Sequence, residues 1–230
     1  MPKVMITGAN RGLGLEFVRQ YVADGWEVIA TCRHPGEAKD LNDLAEQHTP
    51  MIRVYPLAVD MSRQIEDLKA EIGDDPIDVL INNAGIFGPR AAKLGNLDPA
   101  AWRHVFEVNT IAPIKVAEAF VDNVEAAKGT IATVSSNMGS IENIPRGDEY
   151  IYRSSKAALN SAHRSLAFEL EPKGITCAVM HPGWVRTDMG GPDADIEETE
   201  SVSGMRALIA GLSLDQTGLF WNYDGERMPW

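Results

Sequence analysis

Lys3-Val-Met-Ile-Thr-Gly-Ala-Asn-Arg-Gly-Leu-Gly14 is the stretch on which the fold turns. A short apolar run ends in a glycine-rich turn, after which apolar residues recur at Leu13, Phe17, Val18, Tyr21 and Val22. That pattern reads as strand, tight turn and helix. Glycines there allow close approach of the backbone to a ligand, and a helix N-terminus attracts anionic groups. The loop of Gly8, Asn10, Arg11, Gly12, Leu13 and Gly14 is therefore expected to hold the pyrophosphate of a dinucleotide. Its glycine spacing is wider than that of the usual dinucleotide fingerprint.

Outward from this loop the chain alternates. Strand-like runs are expected at residues 26–32, 52–58, 77–81, 130–134, 175–180 and 219–223, with helical stretches near 37–47, 62–72 and 201–212. Asp98 and Pro99 look like an N-cap and a first helical residue. The helix they open is expected to reach about Glu125, with Pro113 the place for a kink. Another long helix ends near Glu171, where Pro172 and Gly174 stop it. Val- and Ile-rich strands alternating with helices predict a mostly parallel sheet covered on both faces, in one domain spanning residues 1–230. Ligands in such sheets bind beyond the carboxyl ends of the strands.

The second strand ends in Thr31-Cys32-Arg33, where an acidic residue would normally grip the ribose hydroxyl of NAD. No carboxylate is present there to repel a 2'-phosphate, and Arg33 and Arg11 can bind one, so NADPH is expected over NADH. Asp60, after the third strand, either meets the adenine edge or caps the next helix. Asn82-Asn83-Ala84-Gly85 forms a turn at a strand's carboxyl end that both shapes the sheet and backs the cofactor.

Tyr152 and Lys156 stand four residues apart on one helix face. A free phenol titrates near ~10 and is a poor acid–base group at neutral pH. An ammonium beside it favours the phenolate and is expected to lower that value.

These segments together resemble the short-chain dehydrogenase/reductase family over nearly the whole chain. The resemblance rests on the glycine loop, Asn82-Asn-Ala-Gly85, Asn109, Ser136, Tyr152-Arg-Ser-Ser-Lys156 and Pro182-Gly-Trp-Val-Arg-Thr187. Within the family the chain is most similar to the C-factor-like and sniffer-like carbonyl reductases, through residues 151–160 and Gly190-Gly-Pro-Asp-Ala-Asp195. The resemblance implies a Rossmann-like doubly wound sheet of seven strands in the order 3-2-1-4-5-6-7. It also implies hydride transfer between a nicotinamide and a carbonyl carbon. Tyr152 would then give a proton to the carbonyl oxygen, Ser136 would hydrogen-bond that oxygen, and Lys156 would also hold the nicotinamide ribose. Asn109 would hold a water linking Lys156 to solvent. Pro182 and Gly183 would shape the loop around the nicotinamide, with Val185 touching the cofactor and Thr187 its carboxamide.

Ser135 competes with Ser136, which stands 16 residues before Tyr152, more than the family's commonest spacing. Ser136 is preferred because the C-factor-like group carries a longer loop, and the extra length falls at residues 140–149 on the substrate side. Residues 188–200, rich in glycine and acidic side chains, suit a lid. Phe87, Ile141, Trp184, Met189 and, less directly, Trp221 are candidate apolar walls for an aldehyde or ketone with a hydrophobic body. His181 is read as structural.

With 44% apolar and 23% charged residues in 230, the chain reads as an ordinary soluble domain. A net charge of −12 argues against nucleic acid or an anionic membrane as the main partner. The start of the chain runs straight into a strand, and no apolar run approaches a membrane span, so the cytoplasm is expected. Cys32 and Cys177 are expected to be buried thiols, and no metal is required by this chemistry. The family implies a homodimer or homotetramer. Two other functions stay open: alcohol oxidation by the same residues, and dinucleotide binding for signalling without turnover.

Overall fold

The computed structural model describes residues 1–90 and 92–230. Seven strands form one parallel sheet: β1 (Lys3–Thr7), β2 (Glu27–Cys32), β3 (Ile52–Pro56), β4 (Val79–Asn82), β5 (Thr130–Val134), β6 (Thr176–His181) and β7 (Leu219–Asn222). Their order is β3-β2-β1-β4-β5-β6-β7, as the resemblance implies. The described residues include seven α-helices: α1 (Gly12–Ala23), α2 (Lys39–Gln47), α3 (Ser62–Ile72), α4 (Pro99–Phe106), α5 (Ala112–Ala127), α6 (Tyr150–Leu170) and α7 (Glu198–Gly211).

Alternation along the strands divides the core. Val4 and Ile6 of β1 pack with Phe17, Val18, Val202 and Met205 on one face of the sheet. Met5 turns to the other face and joins Leu80, Val116, Phe120, Ile131 and Leu170. A central strand covered on both faces favours apolar residues at successive positions, which is why Val4-Met5-Ile6 of β1 reads as a continuous run and not an alternating one. The crossover at β1/β4 opens a crevice at the carboxyl ends of the strands, and this crevice carries the site.

Asp98 caps α4 by accepting from the Ala100 amide at 2.8 Å, with Pro99 as the next residue. The helix beyond it is interrupted earlier than the proline itself. A wide π-type turn occupies Glu107–Ile111, and the Ala112 amide bonds back to the Glu107 carbonyl. Pro113 has no N–H to give, so the carbonyl of Asn109 lacks its ordinary helical donor. The defect of a proline is thus felt a turn upstream, and Asn109 sits within it.

The buried stripe of α6 includes Tyr152, Ser155, Lys156, Asn160 and His163 among its apolar residues. His163 is fully buried, and neither ring nitrogen has a partner among the described residues. Burial pushes its pKa down to about 4. The unfolded chain, with an ordinary imidazole near ~6.5, binds the proton more tightly, so stability is complete above that value and is lost as pH falls towards 4. Wild-type protein should lose about 2 kcal/mol from this residue between pH 7 and pH 5. Denaturant unfolding at the two pH values checks this: His163→Leu should show a correspondingly smaller loss, and an equal loss would refute the assignment.

Candidate active site

A cleft of about 940 Å³ runs along the carboxyl edge of the sheet. The glycine loop forms its floor. Gly8 and Gly12 adopt φ of +68° and +56°, and a side chain on Gly14 would run into the Gly8 carbonyl. The turn can therefore be made only with these backbones bare. Beyond it, α1 starts at Gly12 with no acidic residue in its first turn, leaving its free amides and positive end facing an anion. Bare backbone, an anion-attracting helix end and a long cleft fit a dinucleotide.

Thr7 joins this loop to the next strand end. Its hydroxyl accepts from the amides of Asn83 at 3.0 Å and Ala84 at 3.1 Å, while Asn83 Nδ2 donates to the Thr7 carbonyl at 2.9 Å. Asn82, buried, donates to the Pro113 carbonyl at 3.1 Å and so ties β4 to the base of α5. Gly85 comes close to the catalytic candidates: a Cβ there would lie 3.3 Å from Asn109 Oδ1 and 3.6 Å from Lys156 Nζ.

The two serines diverge. Ser135, buried, donates to Asn160 Oδ1 at 2.6 Å, and Asn160 in turn holds the Gly139 carbonyl. Ser136 begins the short turn Asn137–Gly139, where its Oγ accepts from the Met138 amide at 3.1 Å, and its hydroxyl lies near enough to Tyr152 to favour the ionised phenol, against the larger effect of burial. Residues adjacent in extended backbone point to opposite sides, so only one of the pair can face Tyr152. Asn160 went unmarked in the sequence, although its place one turn beyond Lys156 on the same face was the available signal.

Lys156 lies 5.9 Å from the centre of the Tyr152 ring and donates to the Val134 carbonyl at 3.0 Å. The electrostatics differ from the expectation of a lysine-lowered tyrosine. Burial dominates both groups: it pushes the Tyr152 phenol up to about 12, against a smaller lowering by the Ser136 hydrogen bond, and pushes Lys156 down to about 8. At neutral pH the phenol keeps its proton and can act as a donor.

Asn109 is fully buried, and its side chain is committed. It accepts from the Ile86 amide at 2.9 Å, and it donates to the Ile86 carbonyl at 2.8 Å and to Ser155 Oγ at 3.1 Å. It straps the loop after β4 to α6, and Pro113 cannot serve as donor to its backbone carbonyl.

Most of the expected cofactor residues line the cleft: Gly8, Asn10, Arg11, Gly12, Leu13 and Gly14 at one side, Arg33 and Asp60 towards the ends of β2 and β3. Asn83, Ala84, Gly85, Tyr152, Lys156, Pro182, Thr187 and Met189 also line it. Asp60 does not cap α3, whose N-cap is Met61 with no side-chain bond. Arg11 is engaged with Asp188 at 2.6 Å, a pairing across 177 residues that no local pattern announces. Val185 is buried and bridges to Ile196, and Gly183 is required by packing, since a Cβ would stand 2.6 Å from Ile196 Cδ1. Ile141 and Trp184 are 69% and 50% exposed and lie outside the cleft lining, the Trp184 indole donating to the Gly190 carbonyl at 2.9 Å. Trp221 is buried in β7. His181 is held neutral, with burial moving its pKa down to about 4 against an opposing pull from Asp224.

The segment expected as a lid is internally fastened. The Arg186 amide donates to the Ile196 carbonyl at 2.9 Å, Arg186 Nε donates to the Ala194 carbonyl at 2.9 Å, and its guanidinium pairs with Glu197. Phe87 does not stand as a plain wall but stacks on Tyr152, with ring centres 4.5 Å apart.

Comparison with known proteins gives a consistent picture. The family model described as short chain dehydrogenase matches residues 2–198. The C-signal of Myxococcus xanthus is 44% identical over 156 residues, 67% of this chain and 93% of that protein. Two solved structures, the carbonyl reductase Sniffer of D. melanogaster and an NADPH-bound carbonyl reductase from chicken fatty liver, both superpose with a TM-score of 0.93. Their identities are 34% and 37%, over all of this chain and 100% and 99% of theirs. Among the described residues no helix is long and apolar enough to cross a membrane.

Proposed function

The chain belongs to the short-chain dehydrogenase family and is a nicotinamide-dependent oxidoreductase, and on that premise we propose that it reduces an aldehyde or ketone with NADPH. The observation that carries this reading is the buried, protonated phenol of Tyr152 at the cleft, backed by Lys156, with Ser136 acting on the phenol against burial. A group whose proton is held well above neutral pH suits donation to a carbonyl oxygen better than abstraction from an alcohol. Ser136 hydrogen-bonds the same oxygen and stabilises the charge that develops on it. Bound in the cleft, NADPH supplies the hydride that the carbonyl carbon accepts.

Lys156 would hold the nicotinamide ribose and return the proton to Tyr152, and the backbone carbonyl of Asn109, to which Pro113 cannot donate, would keep a water between Lys156 and solvent. The side chain of Asn109 is already committed to Ile86 and Ser155. The loop amides of Asn10, Gly12 and Leu13 take the pyrophosphate. Asn83, Ala84, Gly85, Pro182 and Thr187 surround the nicotinamide end, and Gly183 and Val185 support it from behind. Phe87 and Met189 bound the substrate's entrance.

At the other end Arg33 and Arg11 take the 2'-phosphate, and Asp60 meets the adenine. Arg33→Asp should lower kcat/KM for NADPH by ~10²-fold with little change for NADH, because a charge-assisted contact becomes a repulsion. Equal loss with the two cofactors, or a wild type that uses both equally well, would overturn the preference. Assembly through the outward faces of α5 and α6, with Ile111 in the turn that leads into α5 and Phe168 on α6 being 45% and 56% exposed, belongs to the same reading. A single-chain mass by light scattering would remove it. We place the protein in the cytoplasm.

A second reading is dinucleotide binding for signalling without turnover, and it draws on the relative named C-signal. The intact set of Ser136, Tyr152 and Lys156 favours the enzyme.

A further inference from the structure

Phe87 lies nearly parallel to Tyr152, with ring centres 4.5 Å apart and planes inclined by 20°. The guanidinium carbon of Arg90 is 4.8 Å from the centre of the Phe87 ring. Since Tyr152 occupies one face of that ring, Arg90 takes the other, and the three side chains form a stack. Gly88 makes this return possible: it adopts φ of +78°, and a Cβ there would stand 2.6 Å from Val105 Cγ2. Arg90 also donates from Nη2 to the Met189 carbonyl at 2.7 Å, 99 residues along the chain. A guanidinium can do both at once, because stacking uses its face while its N–H groups point outward in the plane.

We propose that Arg90 is a positioning residue that clasps the loop after β4 to the segment after β6, over the ring of Tyr152. This inference rests on the reductase reading for its kinetic part only. Phe87 covers one face of the phenol, which is 7% exposed, and thereby sets its tilt and keeps water off it. Met189, on the other wall, lines the cleft next to Asp188. Loss of Arg90 removes the far-face partner of Phe87 and the donor to Met189 together, so both walls of the carbonyl's entrance loosen. The glycine loop is joined to that segment through the solvent-exposed Arg11–Asp188 pair, and its own turn is held by the Thr7 and Asn83 bonds, which Arg90 does not contact.

Arg90→Ala should raise KM for an apolar ketone about tenfold while kcat stays within about threefold and NADPH affinity within about twofold. Arg90→Lys, which keeps a cation and a donor, should recover most of the loss. Hydrogen–deuterium exchange on the substrate-free protein supplies the readout independent of turnover. Amides of residues 86–90 and of residues 188–191 should exchange faster together in Arg90→Ala. An unchanged KM, faster exchange in one segment alone or in neither, or a lysine variant as impaired as the alanine variant would each overturn the clasp. A wild type that reduces no carbonyl would remove the reductase reading, and the exchange result would still decide the clasp.

Discussion

Tyr152→Phe should lower kcat for carbonyl reduction by ~10³-fold while NADPH affinity stays within about twofold. The substitution removes one oxygen. The ring remains, so its stacking on Phe87 and the packing of α6 are kept. What disappears is the hydroxyl proposed to protonate the carbonyl oxygen, which also interacts with Ser136. Because burial holds the phenol up to about 12, the wild-type reduction should not fall through the neutral range from loss of this proton. The reverse reaction needs the ionised phenol and should accelerate as pH rises towards that value. Steady-state rates paired with NADPH titration of intrinsic fluorescence check the claim. A variant that loses binding in proportion to turnover would show that Tyr152 supports the fold or the cofactor and not the chemistry.

Lys156→Met should abolish measurable turnover and at the same time make the substrate-free protein more stable. Burial lowers the pKa of Lys156 to about 8, yet at pH 7 the side chain is still charged inside the protein. With an unfolded value near ~10.4, keeping that charge costs about 3 kcal/mol at pH 7, and the cost is relieved as pH rises from the folded value to the unfolded one. Methionine fills a similar volume without the charge, at the loss of one hydrogen bond to the Val134 carbonyl. The net gain should be about 1–3 kcal/mol, a Tm rise of about 3–8 °C. The gain should shrink above pH 9, where the wild-type lysine is already neutral. A destabilised Lys156→Met protein would mean that the ammonium is satisfied in the fold, and the stability–activity opposition argued here would fail.

The sheet was legible because its strands are short apolar runs separated by turn residues, and the glycine loop announced itself by composition. What stayed hidden depends on depth and on distant pairing. Helical spacing places Tyr152 and Lys156 on one face but says nothing of how far that face is buried, and burial decides the titration of both. Pro113 marks a kink in the sequence, yet the interruption lies at Glu107–Ile111, since a missing N–H is felt at the carbonyl one turn earlier. Ser135 and Ser136 read alike in the sequence, and what distinguishes them is depth and partner: Asn160 holds the first, while the second acts on the Tyr152 phenol. Ile141 and Trp184 have the composition of pocket walls but lie exposed, because loop direction is not written in residue type. Arg11 with Asp188, and Arg90 with Phe87 and Met189, arise from loops that meet only after the sheet has formed.

The most direct test is NADPH consumption by the wild-type protein against a panel of aldehydes, quinones and ketones, with Tyr152→Phe alongside. Turnover of at least one apolar carbonyl by the wild type, with none by the variant, is the predicted result. A wild type that binds NADPH but oxidises it with no member of the panel, or a variant as active as the wild type, would contradict it.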